Sequence, residues 1–160
     1  MNEFKDITRD IVKHRIFKKT RQIWHHHQSV FHHSLAVAYL SYKIAKKIGL
    51  DYRSAARAGL LHDFFLYDWR APRKKKFFEK HGFTHAREAH KNAVEHFSLN
   101  PVEEDAILKH MFPLNIKPPS YAVSWIVTLA DKYISIAEYL RRTSDAFKVL
   151  KREKAKHMRP

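Results

Sequence analysis

The chain has no cysteine, which excludes a disulfide framework, a thiolate zinc site and a cysteine nucleophile. It has three glycines in 160 residues. That is too few for a glycine-rich phosphate loop, and it makes an all-β fold with many tight turns a poor expectation. No apolar stretch is long and uninterrupted enough to cross a bilayer. Residues 1–19 are charged throughout and lack the apolar core of a secretory leader. The expectation is a soluble, cytoplasmic protein without a membrane partner. Acids are also scarce. Sixteen Asp and Glu stand against 31 Lys and Arg, a formal net charge of +15, which favours an anionic partner or substrate.

What is present is enough for one core. Hydrophobic residues make up 44% and aromatics 13% of the chain, which excludes wholesale disorder and suits a single domain. The apolar residues recur at helical spacing. Ile7, Ile11, Val12 and Ile16 predict an N-terminal helix ending near Lys19. A helix over 30–48 carries Leu35, Ala38, Tyr39, Tyr42 and Ala45, and Gly49 stops it. Asp51 caps the next, which runs to His62 and Asp63. Thr84 is the expected N-cap of a helix reaching Phe97. Asn100, Pro101, Glu103 and Glu104 form a strong start signal for a helix ending near His110. An apolar helix over 121–140 follows, then a basic helical tail. The predicted fold is all-α: a compact single-domain bundle of seven or eight helices. Residues 1–29 form a helix and a His-rich loop, 30–140 the main domain, and 141–160 the tail.

Thirteen histidines remain to be explained. A bare His-Asp dipeptide means little, since about 0.65 such pairs are expected by chance in this composition. Context means more. His33 lies one turn into an apolar helix, and His62-Asp63 closes the following one. His110 closes a helix whose inner face is Ile107 and Leu108, and His85 opens another. Asp131 interrupts the run Trp125 to Ala130, where a carboxylate is costly to bury unless paired or metal-bound. Taken singly, the histidines also suit helix C-termini or hydrogen-bonded helix positions. Taken together, one oxygen- and nitrogen-lined metal site accounts for all of them. His14, His81, His90, His96 and His157 are read as surface residues.

The segments His33-Ser34-Leu35-Ala36-Val37-Ala38, Gly59-Leu60-Leu61-His62-Asp63 and Leu129-Ala130-Asp131-Lys132 resemble the HD superfamily of metal-dependent phosphohydrolases, in that family's order, over about residues 30–140. The resemblance implies a helical domain with His33, His62, Asp63 and Asp131 as metal ligands. His62 and Asp63 are then also the catalytic pair. His32 competes for the first position. His33, however, precedes Ser-Leu-x-Val-Ala as in the family and shares a face with Val37 and Leu40. Thr84-His85 and Ile107-Leu108-Lys109-His110 resemble the segments that carry two further ligands in two-metal members. The cyclic-dinucleotide branch has two adjacent histidines where His110 is followed by Met111, and its GYP motif is missing here.

Such ligands suit one or two divalent transition ions (Fe, Mn, Co, Ni or Zn, with Mg as an alternative) better than Ca. The implied reaction is hydrolysis of a phosphate ester or anhydride of a nucleotide by metal-activated hydroxide. Arg70, Arg73 and Lys132 are candidates to grip a non-reacting phosphate, and His25 to line the substrate pocket. A solvated basic loop is the plainer alternative for the first three, and a solvated loop histidine is the plainer alternative for His25. A cyclic-dinucleotide phosphodiesterase and a non-catalytic basic nucleic-acid-binding module are the rival readings. The scatter of the basic residues counts against the second.

Overall fold

The computed structural model describes residues 2–25, 28–67 and 81–157, with residues 2, 25, 81–83 and 145–157 described as backbone only. Among these residues there are six α-helices: α1 (Asn2–Lys13), α2 (Val30–Lys47), α3 (Tyr52–Leu61), α4 (His81–His96), α5 (Pro101–Lys109) and α6 (Ala122–His157). A short 3-10 helix, Phe17–Gln22, follows α1. A two-residue antiparallel pair, β1 (Trp24–His25) with β2 (Gln28–Ser29), precedes α2. The protein is all-α, as the periodicity predicts.

The first helix is shorter than its spacing suggests. It ends at Lys13, not near Lys19, and gives way to the 3-10 turn. Phe17 explains the break, because it is fully buried. Six residues after Ile11 on a continuous α-helix, it would sit about 120° off the inner face. The reset turns it into the core, against Phe31 and Phe64.

At the α2–α3 connection the sequence signals act as expected. Gly49 takes φ 73° just past the end of α2, a conformation that costs a side chain dearly. Asp51 caps α3 by accepting from the backbone N–H groups of Arg53 and Ser54, at 3.1 and 3.0 Å. The chain then returns along α2. Tyr52 meets Tyr42, and further on His62 meets His33. Between those contacts the helices touch backbone to backbone. A Cβ on Gly59 would lie 2.6 Å from the Ala38 Cα.

Helix α4 is already formed at His81, so Thr84 lies in its first turn and is not its N-cap. It buries Ala86, Ala89 and Ala93. Asn100 caps α5 in a reciprocal capping box with Glu103, with Pro101 in the first turn. Helix α6 continues past Leu140 without a break, one helix from Ala122 to His157. Arg141, Arg142 and Thr143 contain neither proline nor glycine, so nothing in the backbone interrupts it. Arg57 ties α3 to its neighbours through Nη1 to Asp10 at 2.7 Å and Nε to Glu103 at 2.9 Å. Tyr39, expected on the apolar stripe of α2, is largely exposed and packs edge-on against Phe4. No helix among the described residues is long and apolar enough to cross a membrane.

Candidate metal centre

The start of α2, the ends of α3 and α5, the second turn of α4 and the first third of α6 meet around one buried cluster. Two histidines reach it by the same local device. His62 and His110 are the C-cap residues of α3 and α5, both with αR backbone. Each donates its Nδ1–H to the carbonyl three residues back, His62 to Gly59 and His110 to Ile107, both at 2.8 Å. Those carbonyls lack partners within their own helices. The bond therefore satisfies the helix end, fixes the tautomer and leaves an Nε2 lone pair facing the cluster.

His33 reaches it from α2. Its neighbour His32 is engaged at the cap, where Ser29 Oγ lies 2.8 Å from His32 Nδ1. His33 is fully buried, with Nε2 3.0 Å from Asp131 Oδ1. His62 Nε2 lies 3.5 Å from Asp63 Oδ2 and 3.6 Å from Asp131 Oδ1, and it makes no hydrogen bond. On the other side, His85 Nε2 is 3.0 Å from His110 Nε2. Asp63 Oδ1 lies 3.4 Å from the first and 3.6 Å from the second. All six residues are at most 8% exposed.

These donors fit a divalent cation. Three overlapping groups each offer ligand atoms within 4.8 Å of one another: His33/His62/Asp63, His62/His110/Asp131 and Asp63/His85/His110. The chemistry of the set agrees. His110 has spent its ring proton on Ile107, so its lone pair points at a second imidazole nitrogen at hydrogen-bonding distance. The buried His62 nitrogen likewise faces two carboxylates without a hydrogen bond. Convergent lone pairs and carboxylates in a dry site call for positive charge.

The proton affinities carry the same message. Burial works against the charged form of His33, but hydrogen bonds to Asp131 and Glu138 outweigh it and hold the imidazole up at about 10. Asp131 is buried, yet His33 and His62 keep its carboxyl well below the usual range. His62 is desolvated too, and the charges of Asp63 and Asp131 raise it. Burial and the neighbouring imidazoles of His62 and His85 push His110 down to about 3, which leaves it neutral.

All six residues singled out as ligands in the sequence thus come together. Glu138 was missed. Its carboxylate accepts from His33 Nδ1 at 3.1 Å and from the side-chain amide of Gln28. The signal was available, since 131 and 138 are seven residues apart, two turns along one helix face. Lys132 lies at the rim, half-buried, and donates to the His110 carbonyl at 3.1 Å; burial lowers its pKa. Arg70 and Arg73 lie outside the described residues. His25 pairs with Gln28 through the β1–β2 backbone, and its side chain is not among those described. Three histidines expected on the surface, His14, His90 and His96, are partly buried instead. His90 bonds Glu104 at 2.9 Å, and His14 packs on His96 and Phe97.

The family model for the HD domain matches residues 30–136, which spans every one of the six cluster residues and more than half of the chain. Among curated proteins and solved structures no significant match is found.

Proposed function

The chain belongs to the HD domain family, and from that premise we propose that it is a metal-dependent phosphohydrolase with a two-ion site, acting on a phosphate ester or anhydride of a nucleotide. One observation carries the two-ion reading. Asp63 turns Oδ2 toward His62 and Oδ1 toward His85 and His110, the disposition of a carboxylate shared between two ions. His33, His62, Asp63 and Asp131 would hold one ion, and Asp63, His85 and His110 the other. When bound, such ions lower the pKa of water and offset negative charge on phosphoryl oxygens.

The chain's own residues orient and dry the site. The Gly59 and Ile107 carbonyls hold the His62 and His110 rings in the ligating tautomer. Asp131 stays ionised between His33 and His62. Phe65 is fully buried and lies edge-on to the His85 ring, 6.1 Å away, which keeps water from that side. Lys132 spends one of its three ammonium protons on the His110 carbonyl, and the others suit a non-reacting phosphate. Arg70, Arg73 and His25 are the further candidates for substrate contacts. With no cysteine in the chain, attack by water is the economical route. The +15 charge favours the approach of an anionic substrate.

The test is to measure metal content and assay nucleotides, phosphomonoesters and phosphodiesters with added Mn or Fe. Bound transition metal and turnover, both abolished by His62→Ala/Asp63→Ala, are expected. A wild type that binds no transition metal and behaves like the double variant overturns the reading. Preference for a non-nucleotide phosphate would overturn the substrate class alone.

A further inference from the structure

Helix α6 presents two faces. Val123, Ile126, Val127 and Ala130 are buried against the body. On the outer side Leu129, Tyr133, Ile136 and Leu140 are 59–65% exposed, although isolated domains rarely leave so many large apolar side chains in one row. Their spacing is 4-3-4, the seam of a coiled coil. In the sequence it continues unbroken at Thr143, Phe147 and Leu150, within the same helix, which extends to His157. No charged residue falls on the seam from Leu129 to Leu150. Arg141, Arg142, Lys148 and Arg152 occupy register positions away from it.

We propose that this stripe is a homodimer interface in which α6 of two chains pair antiparallel, with the two-fold axis between Leu140 and Thr143. Two properties identify the arrangement. The seam complements itself about that axis, as a two-fold interface requires. Tyr133 falls opposite Leu150 of the second copy, Ile136 opposite Phe147, and Leu140 opposite Thr143. The charges select the direction. Seven Lys and Arg lie between residues 141 and 156, against only Asp145 and Glu153. Parallel pairing would set two such arms side by side, with like charges along their length. Antiparallel pairing separates them and lays each arm on the exposed 133–140 stretch of the second copy. The flanking position Ser144 then falls opposite Ala137, not a like charge. The paired stretch, 133–150, is about 26 Å long. None of the seam residues belongs to the metal cluster, so the inference stands apart from the phosphohydrolase reading.

Sedimentation velocity on the full chain tests it, at concentrations from about 1 to 100 μM. The expected species is a dimer of the 19.1 kDa chain, converted to a monomer by Ile136→Glu/Leu140→Glu with unchanged metal content. A monomeric wild type overturns the proposal, as does a dimer that survives the double change. The cysteine-free chain allows the direction to be read as well. Ile136→Cys mixed with Phe147→Cys should give an oxidised heterodimer. Neither variant alone should cross-link efficiently, because like positions in the two copies lie about 16 Å apart along the helix axis. Efficient cross-linking of Ile136→Cys with itself would show parallel pairing and overturn the arrangement.

Discussion

His33 donates its Nδ1 proton to Glu138 at 3.1 Å while its Nε2 faces Asp131, seven residues earlier on the same helix, at 3.0 Å. One face of α6 thus grips both nitrogens of one imidazole. The carboxylate behind the ring fixes which nitrogen is presented, and Gln28 steadies that carboxylate from the β2 strand.

Glu138 is therefore expected to act on metal affinity through His33. Carboxylates behind ligating histidines contribute roughly 10–100-fold in affinity. Glu138→Leu should weaken metal binding by about that factor in a titration. Glu138→Gln keeps an acceptor for the Nδ1 proton and should lose less. If Glu138→Leu binds metal like the wild type, Glu138 serves packing alone.

His85 and His110 face each other on the far side of Asp63. Replacement of either by alanine should remove one ion and retain the other, as read by elemental analysis of the purified variants. Loss of neither would reduce the site to a mononuclear one.

Gly59 sits where α2 and α3 meet. Alanine favours a helix interior over glycine by about 1 kcal/mol, so propensity alone would make Gly59→Ala stabilising. The Cβ would instead lie 2.6 Å from the Ala38 backbone, and neither helix can yield without disturbing the rest of the core. Overpacking of this kind costs about 1–3 kcal/mol. A lower melting temperature is expected, and an unchanged or higher one would show that the helices part easily.

Glu3 anchors α1. It accepts from Tyr42 at 2.8 Å, from Tyr52 at 3.0 Å and from the Lys46 ammonium. These partners, Lys46 foremost, pull its pKa from 4.5 down to about 2. A carboxyl depressed in the folded state stabilises fully above its unfolded pKa, and the contribution is lost as pH falls from about 4.5 toward 2. Denaturant midpoints for Glu3→Gln should lie below wild type at neutral pH and converge with it through that window. Salt should narrow the gap, because the pair is exposed. Parallel curves across the window would show that Glu3 does not carry the acid sensitivity.

Much of the site was legible because its signals are local. Asp51 and Asn100 announce helix starts through bonds made within three residues. Gly49 marks a stop by its backbone alone. His62 and His110 present their rings by bonding the carbonyl three residues back, so their place at helix ends already held the geometry. Asp131 stood out because an apolar run makes an unpaired carboxylate costly. Other features depended on distant partners. Phe17 ends α1 because the core wants its ring against Phe31 and Phe64, which no spacing within residues 7–16 can reveal. Glu138 shares a helix face with Asp131 at a spacing of seven, but that it stands behind His33 is decided only when α2 is laid beside α6. Only packing divides the apolar run from Trp125 to Ala130, with Ile126, Val127 and Ala130 inward and Leu129 outward.

The sequence by itself determined the all-helical class, most helix ends and the six metal-site candidates, because periodicity, capping and the cost of buried charge act within a few residues of where they are written. Only the tertiary structure decided that α2, α3, α4, α5 and α6 bring those six side chains to one point, that Asp63 divides its two oxygens between two sets of histidines, and that Glu138 stands behind His33. Those relationships join residues up to 105 positions apart, and such distances are set by helix packing, to which local spacing is blind.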